Sequence, residues 1–90
     1  MVKDKRYTVL KKLVEGGNIF SFTDMLDVVP ISTIRNDLKT NYSSLKRKIN
    51  QPELFVIKDL LKIAELIDCN PDLIIKLSTK DYLRRKKQKK

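Results

Sequence analysis

The sequence has no histidine and only one cysteine, Cys69. A single thiol forms no internal disulfide, and without Cys and His clusters no zinc site is built; the composition suits a reducing cytosol, so a cytoplasmic location is expected. Missing histidine also removes the side chain that titrates near neutrality, which excludes His-based acid and base catalysis. Glycine is scarce at two and proline at three. Against many Leu, Ile, Lys and Asp, that scarcity describes an all-α chain rather than one of short strands and tight turns. No apolar run approaches twenty residues, and Lys3, Asp4, Lys5 and Arg6 precede no hydrophobic segment, so neither a membrane span nor a signal peptide is expected. Serine, aspartate and lysine are present, but no pattern places a nucleophile beside its base. The reading is therefore of a protein that is not an enzyme and carries no metal site or cofactor.

Positive charge is what the chain has in excess. The 90 residues carry a formal net charge of +9, and fit one compact domain with about 60 to 65% of the unfolded surface buried. Six of the charges sit in Arg84, Arg85, Lys86, Lys87, Lys89 and Lys90, which leaves the body at about +3. Within that body, Ile31 to Asn50 holds Arg35, Lys39, Lys46, Arg47 and Lys48 against Asp37 alone, whereas Pro52 to Leu83 carries more Asp and Glu than Lys. The middle of the chain is built to face an anion. A helical domain over 1–83 followed by a basic tail at 84–90 is the expected organisation. The tail is either helical or a solvated, disordered end.

Periodicity and caps divide the domain into five to six short helices. Tyr7, Leu10, Leu13 and Val14 recur at helical spacing between Lys3 and Glu15, and Gly16-Gly17 is a C-terminal stop. Ser21 with Asp24 makes a capping box, Phe20 can staple onto Met25, and Phe22, Met25, Leu26 and Val29 form an apolar face. Pro30 ends that helix and opens one with Ile31, Ile34 and Leu38 inward. Asn41 caps a fourth helix whose buried side is expected to be Tyr42, Leu45 and Ile49, and Pro52 marks its end. A fifth runs from about Ile57 to Ile67, burying Ile57, Leu60, Leu61, Ala64 and Ile67. Asn70 and Pro71 start a sixth with Leu73, Ile74 and Leu77 inside. Short loops between short helices imply a compact globule.

One arrangement suggests function. Two short helices meet at Lys39-Thr40-Asn41, and the second carries Ser43, Ser44 and Arg47 on the side away from Leu45 and Ile49. At 100° per residue, Ser43 and Arg47 lie about 130° to 170° from the centre of the apolar stripe. Such a helix-turn-helix over Ser32 to Asn50 can put polar side chains into a DNA major groove. Arg47 can pair bidentately with guanine, and a short serine near a helix start reaches a base edge or a phosphate. Ser43, Ser44 and Arg47 are the candidate base readers. Ser32, Thr33, Tyr42, Lys46, Lys48, Asn50, Arg84, Arg85, Lys86 and Lys87 are the candidate phosphate contacts. The expected partner is double-stranded DNA.

From Ser32 to Leu77 the sequence also resembles the lambda-repressor-like, or XRE/Cro-type, helix-turn-helix family. The strongest stretch is Leu60-Leu61-Lys62-Ile63-Ala64-Glu65-Leu66-Ile67-Asp68-Cys69-Asn70-Pro71-Asp72-Leu73, and Asn41 to Asn50 matches the recognition helix. The resemblance covers about half of the chain, with the N-terminal helix outside it. It implies a transcriptional regulator of bacterial or phage type that docks this helix in the major groove. Two positions depart from the family pattern: Arg35 stands where a small Ala is usual, and Lys39 where Gly fills the turn. Lysine in a left-handed turn costs roughly 1 to 2 kcal/mol. Either the helices sit further apart than usual, or the register differs.

A second register resembles the DeoR-like winged-helix regulators. Ser32-Thr33-Ile34-Arg35-Asn36-Asp37-Leu38 would then be the recognition helix, Phe22 to Val28 its support and Arg35 the base reader; a β-hairpin wing is required after it. A different class of function is a protein-interaction module, antitoxin-like or an adaptor, on the same fold. Ile63, Leu66, Ile75 and Tyr82 lie off the expected stripes, which is accounted for by packing against the first helix or by a homodimer seam.

Overall fold

Caps and left-handed turns cut the chain into six α-helices among residues 4–88, the part that the computed structural model describes. They are α1 (Arg6–Glu15), α2 (Phe22–Leu26), α3 (Ile31–Leu38), α4 (Tyr42–Asn50), α5 (Ile57–Ile67) and α6 (Pro71–Gln88), with a single 3-10 turn at Pro52–Leu54. There is no strand among the described residues, so the hairpin wing that the DeoR-like register needs does not follow α3. No helix among them is long and apolar enough to cross a membrane, and no group of carboxylates and thiols could hold a metal ion.

Three helices stop in the same way. In each, an amide two or three residues beyond the last helical residue reaches back five residues, closing the helix around one left-handed residue. Asn18 N–H donates to Leu13 O at 2.8 Å, Thr40 N–H to Arg35 O at 3.2 Å, and Cys69 N–H to Ala64 O at 3.0 Å. The left-handed residues are Gly17 (φ 75°), Lys39 (φ 55°) and Asp68 (φ 67°). Glycine takes this conformation freely; lysine and aspartate do so against the Cβ. Lys39 thus takes the left-handed conformation that glycine adopts most readily, and the turn between α3 and α4 closes around it.

Starts follow the sequence closely, with one change of detail. Ser21 Oγ accepts from Asp24 N–H at 3.1 Å, but the Asp24 carboxylate answers to Phe20 N–H, at 2.9 Å, rather than to the cap residue itself. Phe20 is 61% exposed and does not cover Met25 as a staple would. Helix α2 is also shorter than its apolar face suggests, because Asp27 to Val29 form a turn that still buries Val29. Asn41 Oδ1 caps α4 through Ser44 N–H at 3.2 Å, and Asn70 Oδ1 accepts from Asp72 N–H at 2.9 Å at the start of α6.

The core gathers Tyr7, Leu10 and Val14 from α1, Phe22 and Met25 from α2, Ile34 from α3, and Leu45 and Ile49 from α4. Leu60, Ile63, Ala64 and Ile67 of α5 join Ile74 and Leu77 of α6 to complete it. Helix α5 is central, packing on α1, α3 and α6, while α4 rests on α2, α3 and the 3-10 turn. The Phe22 and Phe55 rings meet at 4.6 Å between centroids, tilted by 44°, an arrangement that adds to burial.

Four burial expectations are corrected. Ile57 and Leu61 are exposed at 59% and 45%, and Ile63, expected off the stripe, is core at 3%. Around the Leu60, Ala64 and Ile67 line, Ile57 and Ile63 lie on opposite flanks about 60° away. Periodicity does not choose between flanks, and the α2–α4 cluster lies on the Ile63 side: Ile63 shares a small interior space with Phe22, Met25, Ile34, Leu45 and Ile49. Tyr42, expected inside, is 44% exposed, because Leu45 and Ile49 already fill the inward face of a two-turn helix. The homodimer seam is therefore not required by Ile63, whose burial is internal.

Candidate nucleic-acid interface

Helix α4 is pinned from one side only. With Leu45 and Ile49 buried, the opposite stripe of Ser43, Arg47 and Asn50 faces outward, and all three are exposed. Asn50 is seven residues on from Ser43 and so shares its face. Tyr42 and Lys46 flank the stripe, with Lys46 Nζ 6.0 Å from the centroid of the Tyr42 ring, a cation over an aromatic face. Ser44, expected beside Ser43 and Arg47, is half-buried. Two of the three expected base readers thus share an open face, joined by Asn50.

The expected phosphate contacts divide into free and committed cations. Lys46, Lys86 and Lys87 are exposed, and so is Arg84, though its guanidinium lies 4.0 Å from the Asp81 carboxylate. Lys48, by contrast, donates to Asp59 at 2.7 Å and ties α4 to the start of α5. Asp59 also accepts from Val56 N–H at 3.2 Å. Burial pushes its carboxyl up, yet the Lys48 and Val56 hydrogen bonds outweigh that and hold it below the usual carboxylate value. Ser32 is exposed in the first turn of α3, and Thr33 Oγ1 accepts a long 3.5 Å contact from Arg6.

Helix α6 continues unbroken through Leu83 to Gln88, so of the two forms expected for the basic run after Leu83, helical or disordered, the described residues take the helical one. Lys89 and Lys90 lie outside the described residues. The end of this helix lies beside the end of α4, because Arg85 Nη1 donates to Asn50 O at 3.1 Å. Arg85 also donates to Thr23 Oγ1 at 3.0 Å and, through Nε, to Asp81 at 2.8 Å. All three nitrogens of the Arg85 guanidinium, expected as a phosphate contact, thus have partners within the protein. Its neighbours Arg84 and Lys86 are exposed, and Arg84 also lies 4.0 Å from Asp81.

Arg35 of α3, the base reader of the alternative register, is half-buried with a buried Nε that has no hydrogen-bond partner. The other link across α3 is Tyr7, whose hydroxyl donates to Asp37 at 2.6 Å and joins α1 to the element in front of the turn. Burial first, then the Asp37 hydrogen bond, raises the Tyr7 hydroxyl well above its usual value.

Sequence patterns missed the internal carboxylates. Asp81 is wholly buried, and it falls on the same helical row as Ile74 and Leu77, with Arg85 one turn later. That row was the available signal: an acid on an apolar stripe, four residues before a base. No family model, no curated protein and no solved structure matches this chain.

Proposed function

We propose that this protein is a sequence-specific DNA-binding regulator that lays α4 in the major groove, with α3 and α4 acting as a helix-turn-helix. One observation supports the reading above the others: α4 carries an open polar stripe of Ser43, Arg47 and Asn50 backed by buried Leu45 and Ile49, with Lys46 alongside and no acidic residue in the helix. Arg47 reads guanine through its paired donors, and Ser43 reads a base edge near the helix start. Lys46, Tyr42 and Ser32 meet phosphates, as do Arg84, Lys86 and Lys87 from the end of α6. The left-handed Lys39 turn agrees with a lambda-repressor-like arrangement of the pair.

The reading is tested with Arg47→Ala on the site recovered by selection from random duplexes. Loss of a bidentate base contact weakens that site by about 1 to 3 kcal/mol and leaves random-sequence DNA nearly unchanged. Equal weakening of both DNAs would remove Arg47 from base reading.

A second reading, a protein-interaction module, is favoured by exposed apolar Leu54, Val56, Ile57 and Leu61 at the start of α5. Its signature is DNA binding without sequence preference that vanishes at moderate salt, together with a stable partner in pull-downs.

A further inference from the structure

Asp81 and Arg85 stand one turn apart on α6 and meet both ends of other helices. The buried Asp81 carboxylate accepts from Phe22 N–H at 3.0 Å, the first amide of α2, and from Arg85 Nε at 2.8 Å. Arg85 places one N–H of each terminal nitrogen on a further partner: Nη1 on Asn50 O, the last carbonyl of α4, at 3.1 Å, and Nη2 on Thr23 Oγ1 at 3.0 Å. An anion therefore sits at the positive start of one helix and a cation at the negative end of another, each satisfying a backbone group the helix itself leaves unpaired. Lysine could supply the charge but not the three-way planar fork.

We infer that Arg85 is a positioning residue for α4: it fixes the end of that helix against α2 and α6, and acts on DNA through the aim of Ser43, Arg47 and Asn50 rather than by touching phosphate. The inference rests on α4 being the reading helix. The geometry of the fork does not.

Arg85→Lys separates the two roles, because it keeps the charge and loses the fork. With the full chain, affinity is measured on the selected duplex and on random-sequence duplex, alongside amide hydrogen exchange. Positioning predicts that the specific to non-specific ratio falls about ten-fold and that exchange accelerates in the last turn of α4 ahead of the rest of the protein. A lower folded fraction alone weakens both duplexes by one factor and speeds exchange everywhere; that result overturns the inference. So does an unchanged ratio. Arg85→Gln supplies the salt arm: positioning leaves the slope of log K against log salt intact, and a drop of about 0.9 marks a phosphate contact instead. If the wild-type protein selects no sequence, the DNA reading fails on its own. Exchange then decides the clamp: acceleration confined to the end of α4 upholds it, and uniform acceleration refutes it.

Discussion

Replacing Lys39 with glycine should make the protein more stable, although it deletes a side chain and nothing is added. Lys39 sits at φ 55°, ψ 46°, where its Cβ crowds the neighbouring carbonyl, a strain of roughly 1 to 2 kcal/mol that glycine lacks. Against that gain, glycine gives the unfolded chain more freedom, about 0.4 to 1 kcal/mol in the other direction. The net is a stabilisation of about 0 to 1.6 kcal/mol, centred near 0.8, which is roughly 3 to 6 °C in Tm for a domain of this size. The two closing bonds, Lys39 N–H to Asn36 O and Thr40 N–H to Arg35 O, are made by the backbone and are kept in the glycine variant. Thermal and urea unfolding followed by circular dichroism at 222 nm measure the change. Lys39→Ala is the control, since it removes the charge and keeps the Cβ. The reasoning is refuted if the glycine variant is no more stable than the alanine variant.

The other consequences follow from single contacts. Ile63→Ala should cost about 2 to 5 kcal/mol, whereas Leu61→Ala, two residues away on the exposed flank, should stay within about 0.5 kcal/mol; paired urea titrations check the contrast. The raised Tyr7 hydroxyl means that only the unfolded chain ionises as pH passes the usual tyrosine value near 10. Stability linked to Tyr7 is therefore fully present below that pH and is lost as pH rises towards the higher folded value, and Tyr7→Phe should flatten that part of the stability profile. Under the proposed function, Lys46→Ala should lower the salt slope of DNA binding by about 0.9. Lys48→Ala should lower it by clearly less, because its ammonium is held by Asp59 at 2.7 Å.

Much of the fold was legible because its instructions are local. Ser21, Asn41 and Asn70 cap the helices they were expected to cap, Gly16-Gly17 ends α1, and α5 spans the expected Ile57–Ile67. What was not legible depended on which neighbour lay across a gap. Ile63 and Ile57 flank the same stripe, and only the placement of α2 to α4 decides which one is buried. The candidate site divides similarly. The open stripe of α4 follows from two apolar residues four apart, but the commitment of Lys48 to Asp59 and of Arg85 to Asp81, Asn50 and Thr23 joins segments up to 62 residues apart in sequence. A basic residue looks the same in sequence whether it serves a phosphate or a buried carboxylate.

The central claim is that α4 reads base sequence, and selection from a pool of randomised duplexes at physiological salt tests it most directly. The account predicts enrichment of a defined motif that the Arg47→Ala protein fails to recover at the same positions. Recovery of an unenriched pool by the wild-type protein, with binding that disappears as salt is raised, would contradict it.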